Sequence, residues 1–436
     1  MKQRNGKLVS VMSETFNDFF HSSTSGGIVL LVSTAIALLW ANSAWSDGYF
    51  ALWEENLFIG VGSVSLSKTL LHWINDGLMV IFFFFVGLEI KREILVGELS
   101  SFKNALLPII AALGGMIGPA FIYLMFNSSY PESSHGWGIP MATDIAFALG
   151  ILALLGDRIP PGLKIFLTAL AIADDMGAVL VIALFYTSEL SLFMLAIGAG
   201  FIVLLLLANK FNVRSTAVYT ILGIGLWFCF LKSGIHATIA GVLLAMTIPV
   251  RKKINSEHFI AETTHAVDEL KNNQDPRQEN ELIHKVASLS EDVQSPLHRF
   301  EHALHPYIAF LIMPAFALAN AGVKIEGNIV DALLSPVGLG IALGLIIGKQ
   351  VGIISFVWIA VKMKIAALPK NVSWGMIYGT TWLCAIGFTM ALFISSLAFT
   401  TNELLVAGKI AILFASSISA VVGLILLLRL KYIDEK

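Results

Sequence analysis

ALAIADDMGAVLVIALF, residues 169–185, places two adjacent carboxylates, Asp174 and Asp175, inside a run that is otherwise almost wholly apolar. Few other ionisable residues share that setting: Lys349 in GLIIGKQVGIISF, Asp144 in IPMATDIAFALG and Asp76 in HWINDGLMV. A charge at the centre of a bilayer costs roughly 2.5–3.5 kcal/mol on insertion scales, so a chain that keeps such residues has a use for them. One acid and one lysine, Asp174 with Lys349, would make a purely structural ion pair. The second acid defeats that reading, because neighbours on a helix point about 100° apart and one lysine does not easily serve both. Asp144, Asp174 and Asp175 against Lys349 leave a formal charge of −2, three acids less one base. Repulsion and desolvation both disfavour bare carboxylates, and in a wet cavity they are neutralised by a proton or by a small hard cation. The two compete for the same oxygens, which is half of an exchange mechanism.

Such residues must be held by membrane spans. The 436-residue chain is 56% hydrophobic and 13% charged, against about half and a quarter in soluble domains. A window of about 20 apolar residues predicts twelve helices, at 26–43, 70–90, 104–126, 138–155, 163–187, 190–208, 214–231, 234–250, 304–323, 334–361, 373–399 and 404–429. The first follows a polar leader and reads as a span rather than a signal peptide, since its SAWS exit is a poor cleavage site. A net charge of −2 leaves no basic surplus for phosphates and excludes a general nucleic-acid binder. Cys229 and Cys384 lie in apolar runs as small hydrophobes, with no disulfide framework or redox motif.

An even number of spans puts both termini on one side, and 23 of the 28 lysines and arginines fall in segments on that side. Positive charge collects in cytoplasmic loops, so both termini are expected in the cytoplasm. Residues 251–303 form a polar, charge-mixed insert, part helix and part disorder, with too little apolar content to fold alone; residues 1–436 therefore read as one transmembrane domain. On the outer side, residues 57–66 alternate apolar and small residues around Gly60 and Gly62. That pattern predicts a short β-hairpin, which is marginal alone and calls for a pairing partner.

The fourth and eleventh spans are interrupted, one by Pro140 and Thr143-Asp144, the other by Gly379-Thr380-Thr381 and Gly387-Phe388-Thr389. They are the middles of spans 3–5 and 10–12, which run in opposite directions, and interrupted segments at matching places of two halves point to a transporter site at an inverted repeat. Close helix packing is the other use for Gly and Thr here. Broken helices leave ends at the midplane, where an acid suits the positive N-termini and a base the negative C-termini. Asp144 and Lys349 suit those roles. The fold class is thus an all-α polytopic membrane protein with two broken helices and a short outward hairpin.

The motifs ATDIAFALGILALLGDR, LKIFLTALAIADDMGAVLVIALFYT, LKSGIHATIAGV, EHALHPYIAFLIMPAFALANAGV and IGKQVGI occur in this order along the chain. Together they resemble the NhaA family of bacterial sodium/proton antiporters over nearly the whole length. The resemblance implies that Asp175 is the essential cation-binding aspartate and Asp174 the second acid, paired with Lys349. It also implies that Thr143 and Asp144 sit where two broken helices cross. Sodium or lithium from the cytoplasm would displace protons, leave on the outside and be exchanged for a larger number of protons, so that transport is electrogenic. No cofactor is implied, since Na⁺, Li⁺ and H⁺ are cargo. A bacterial inner-membrane location and a homodimer paired through the 57–66 hairpin are implied as well. If a cation takes Asp174, Lys349 is left unpaired, and desolvation then favours the neutral amine; Lys349 could supply a second proton.

The resemblance further implies activation at alkaline pH through Glu89, Arg92 and Glu93 in VGLEIKRE and Glu301, His302 and His305 in FEHALHP, with His236 in SGIHATIAGV tied to the same response. Histidine titrates in that general region, although a packing role suits His236 equally. His298, His302 and His305 share one helical face, a spacing open to a metal as well as to a solvated charge cluster. Two other classes fit less well. An intramembrane aspartyl protease takes its acids from different helices, and the GD at Gly156-Asp157 sits at a helix end. A cation channel would show rings or repeated filter loops, and no such repeat is visible.

Overall fold

The structure is a computed structural model that describes residues 23–61, 64–187, 190–272, 276–325 and 328–430. Lys2, Arg4, Lys7, Lys431 and Lys436, counted above for orientation, lie outside the described residues, as do Gly62 and Ser63 of the hairpin turn. Each of the twelve apolar runs is helical. We name α1 Ser23–Ala41, α2 Ser46–Glu54, α3 Met79–Leu95, α4 Phe102–Asn127, α5 Ile145–Leu154, α6 Pro161–Phe185, α7 Leu192–Lys210, α8 Thr216–Leu231 and α9 Ala237–Thr247. The rest are α10 Ser256–Asn272, α11 Pro276–Val293, α12 Pro296–Tyr307, α13 Met313–Asn320, α14 Ile329–Leu334, α15 Pro336–Leu343, α16 Lys349–Lys362, α17 Trp374–Cys384, α18 Phe388–Ala398 and α19 Asn402–Arg429.

Among the described residues, seven helical stretches are long and apolar enough to cross a bilayer alone, and up to nine if each of two bent pairs is one span. The bent pairs are α1 with α2, at 113°, and α17 with α18, at 44°. The remaining three of the twelve are shorter or more polar: α8 has 16 residues, α9 has 11, and the stretch ending in α3 carries Glu89, Lys91, Arg92 and Glu93 in its last turns.

Both expected interruptions are present. Pro131–Ser134 and a 3₁₀ turn at His135–Met141 lead into the fourth span, the backbone extends at Ala142 and Asp144, and α5 begins only at Ile145. Pro140 lies inside that 3₁₀ turn and has no N–H to give a helix. The eleventh span breaks at residues 385–387, and the breaks cross, with the Asp144 N–H donating to the Ile386 carbonyl at 2.7 Å. Spans 3 and 10, the matching first spans of the two halves, also pack directly on one another. Lys349 follows a wide π turn at Gly344–Gly348, closed by its own N–H on the Gly344 carbonyl.

The crossing of α4 with span 10 is made by glycines. A Cβ on Gly352 would lie 2.0 Å from the Gly114 carbonyl oxygen, and one on Gly118 would lie 2.5 Å from that of Gly348. Gly114 and Gly118 on one helix and Gly348 and Gly352 on the other are each four residues apart, the small-xxx-small spacing that lets helix backbones meet in membranes. Gly352→Ala is therefore expected to lose roughly 1–3 kcal/mol of stability through overpacking, seen as a lower melting temperature in detergent. Gly200→Ala, where a Cβ meets nothing within 4 Å, serves as the control; equal melting of the two variants would refute this view of the crossing.

The hairpin pairs β1 Asn56–Val61 with β2 Val64–Thr69 antiparallel, from Asn56 opposite Thr69 to Val61 opposite Val64, a few residues longer than the expected 57–66. The Trp73 indole donates to the Leu57 carbonyl at 3.1 Å and ties the hairpin to the bundle. The 251–303 insert forms α10 and α11, which pack on each other with Lys285 bridging to Glu262 at 2.9 Å, and continues into α12.

Candidate functional site

Asp174 and Asp175 lie past the middle of α6, an unbroken helix of 25 residues, and face inward. With Thr143, Asp144 and Lys349 they are all between 0 and 3% exposed. Four elements meet here: α6 brings the acids, the extended break before α5 brings Thr143 and Asp144, the start of α16 brings Lys349, and the break between α17 and α18 brings backbone ends. The Lys349 ammonium is 2.5 Å from Asp174 Oδ2 and 2.9 Å from the Thr143 hydroxyl. That hydroxyl lies 2.5 Å from the same Asp174 oxygen and 2.8 Å from the Cys384 carbonyl, the last of α17.

Asp144 is engaged on both oxygens. Oδ1 accepts the Phe147 N–H at 3.1 Å and so caps α5; Oδ2 accepts the Thr389 N–H at 3.0 Å and the Thr389 hydroxyl in the first turn of α18. Each helix N-terminus carries about half an elementary positive charge, so one carboxylate balances two half-helices. Ser416 Oγ completes the α18 cap by accepting the Phe388 N–H at 3.2 Å.

Asp175 lacks the base and hydroxyl that hold Asp174 Oδ2 and the helix ends that hold Asp144. Its Oδ1 is buried with no hydrogen-bonding partner among the described residues, and the same holds for Asp174 Oδ1. Buried carboxylate oxygens left unpaired in a low-dielectric interior are costly. What satisfies them is a proton or a small cation, and the donor set of carboxylates, a hydroxyl and a backbone carbonyl suits a hard cation.

A family model described as Na+/H+ antiporter 1 matches residues 17–427 of the chain. This chain belongs to that family. Among similar curated proteins, one from Koribacter versatilis named Na(+)/H(+) antiporter NhaA is 49% identical over 97% of this chain and 92% of its own length. Another of that name from Oleidesulfovibrio alaskensis is 51% identical over 94% and 93%. A third, Na(+)/H(+) antiporter NhaA 1 of Clostridium beijerinckii, is 48% identical over 99% of both chains.

For this member of the Na+/H+ antiporter 1 family, the structure also gathers most of the charge cluster expected at the end of α3. Arg92 bridges Glu93 at 3.2 Å and Glu301 at 3.3 Å, Glu93 accepts the Glu98 N–H at 3.1 Å, and Glu89 lies within electrostatic reach of all three. His302 and His305 are exposed beside it, and the His305 ring is 6.2 Å from that of Phe85. His298 shares their helix, but among the described residues no three His, Cys, Asp or Glu are grouped to hold a metal ion. His236 stands apart, at the far end of α9, near Asp76 and with its ring 6.4 Å from Phe393.

Sequence reasoning missed several contributors. Lys91, read only as a topogenic charge, donates to the Met246 and Ile248 carbonyls at 2.7 and 2.5 Å and caps the C-terminus of α9. Cys384 is buried as expected, yet it is its carbonyl that faces Thr143. Ser416 lies in the middle of α19 and caps another helix, so no local signal marks it, whereas Thr389 belonged to the Gly387-Phe388-Thr389 break, though nothing in that break named Asp144 as its partner.

Proposed function

We propose that this chain is an electrogenic, pH-regulated sodium(lithium)/proton antiporter that extrudes Na⁺ in exchange for external protons, a transporter rather than an enzyme, with no cofactor. The observation that carries this reading is Asp175, buried with an unpartnered oxygen beside an Asp174 already held by Lys349 and Thr143. A cation entering between the acids would use Asp174, Asp175 and the Thr143 oxygen, displacing a proton from the unpaired acid and Lys349 from the paired one. Lys349, left in a dry site without its carboxylate, gives up its proton. Asp144, engaged by two half-helix N-termini, keeps the crossing together while the site changes the side it faces. Relatives named as Na(+)/H(+) antiporters over nearly their whole length support the same reading.

The chain would act as one transmembrane domain in the bacterial inner membrane with both termini cytoplasmic, supported by the distribution of lysine and arginine. Glu89, Arg92, Glu93, Glu301, His302 and His305 would set the activation pH, since they gather at one end of the bundle; His236 would act separately. The test uses inside-out vesicles holding a pH gradient: sodium or lithium, but not potassium, should collapse it, more strongly toward alkaline pH, and a C-terminal tag should be open to protease in these vesicles. No response to sodium or lithium between neutral and alkaline pH rules the reading out.

The hairpin would join two protomers by β-augmentation, since its two strands leave outer edges to pair. Deleting residues 56–69 is expected to turn a dimer into a monomer on size-exclusion with light scattering while exchange persists, because every site residue lies in one chain. A deleted form that stays dimeric would place the interface elsewhere.

A further inference from the structure

Gln350, the residue after Lys349, is buried at 7% exposure and directs its amide to one partner residue. Its Nε2 donates to the Thr381 carbonyl at 3.3 Å, while Oε1 accepts from the Thr381 hydroxyl, which also reaches the Tyr378 carbonyl at 2.7 Å. Reversing the amide would set two oxygens face to face at the Thr381 carbonyl, so that contact fixes the orientation. Thr381 lies in the last turn of α17, where helical donors run out. The carbonyls there are shared among few donors: that of Thr381 takes the Ala385 N–H at 3.1 Å and Gln350, that of Leu383 the Ile386 N–H at 3.2 Å, and that of Cys384 faces Thr143. Two neighbouring residues of α16 thus reach the same half-helix end, Gln350 directly and Lys349 through Thr143.

We propose that Gln350 is a positioning residue for the exchange: by tying α16 to the C-terminal end of α17 at Thr381, it fixes the Lys349 ammonium against Thr143 and Asp174 and sets how readily a cation displaces it. The inference rests on the antiport reading above. A helix C-terminus is negative, and each donor it receives dilutes that charge. Without Gln350 this link between α16 and α17 is lost, Lys349, Thr143 and Asp174 are held in a looser register, and a cation finds a less preorganised set of oxygens on which to compete.

Gln350→Met keeps length and volume but removes both hydrogen bonds. In the vesicle assay it is expected to raise the apparent KM for sodium roughly three- to tenfold, the worth of one net buried hydrogen bond, and to move activation to more alkaline pH. Its maximal rate should hold within about twofold on the same basis. Thr381→Val should shift KM and pH profile in the same direction, Thr381→Ser should retain wild-type values, and the Gln350→Met/Thr381→Val double variant should be no worse than the stronger single, since both break one link. A Gln350→Met protein that melts like wild type and keeps its KM and pH profile overturns the proposal, and so do additive effects in the double variant. If Gln350→Met does not fold, the Thr381 pair decides: a difference between Val and Ser supports the link, and none overturns it. Wild-type vesicles that do not respond to sodium would instead remove the antiport reading itself, in a control measured before any variant.

Discussion

In the Asp175→Asn variant, sodium and lithium are expected to leave the pH gradient of inside-out vesicles standing, with residual exchange at most about a hundredth of wild type. Asparagine copies the shape of the side chain but offers a neutral oxygen where the site has an unpartnered carboxylate. Losing a full charge opposite a cation in a dry site is worth about 3–5 kcal/mol, hence a hundredfold or more. Stability should move the other way. Asp175 has no base of its own, since Lys349 is taken by Asp174, and replacing an acid that folding must bury either charged or protonated relieves the folded state. The variant should melt in salt-free detergent at or above the wild-type temperature, and the rise that sodium is expected to give the wild type by mass action should be absent. A variant that exchanges normally, or is stabilised by sodium as wild type is, would place the cation away from Asp175.

Lys349→Arg separates the two protons. Guanidinium stays charged at any pH the protein survives, so it can pair with Asp174 but not surrender a proton when a cation arrives. Ligands that must lose protons make cation affinity pH-dependent: the wild-type KM for sodium should fall by up to about a hundredfold per pH unit below the transition if two protons leave. In Lys349→Arg that slope should drop to about tenfold. One proton for one sodium moves no net charge, so the residual exchange should also lose its response to a membrane potential set with potassium and an ionophore. Electrogenic exchange with the steeper slope in this variant would show that Lys349 is a structural partner only. The fit of arginine is itself demanding, since the Lys349 side chain is fully buried, and a reduced maximal rate accompanies the change without altering either sign.

Much of this was open to sequence reasoning because hydropathy and the cost of buried charge are local properties. Twelve apolar runs became helices, Pro140 and the Gly-Thr pairs did mark breaks, and Asp174 with Lys349, 175 residues apart, could be matched because so few charges lay in the membrane. Counting alone also showed that three acids, Asp144, Asp174 and Asp175, faced one lysine, so two would be left without a base. Other features depend on how distant segments cross. Asp144 could be assigned to the positive helix ends from the sequence, but that the Cys384 carbonyl faces Thr143 and that Gln350 meets Thr381 are facts about the carbonyl end of α17, and no side-chain pattern there names the partner. The 113° bend after α1 and the helical pairing of the insert were likewise invisible, the first because a loop's angle is set by what it packs on. The glycines at 114, 118, 348 and 352 had a readable spacing, but only the crossing of α4 with span 10 shows why a Cβ is excluded there. The sequence by itself determined which residues must be buried and that their charges would not balance. Tertiary structure decided which carboxylate oxygens are left without a partner, because that depends on where two broken helices cross, and crossing geometry is a property of backbones brought together from opposite ends of the chain.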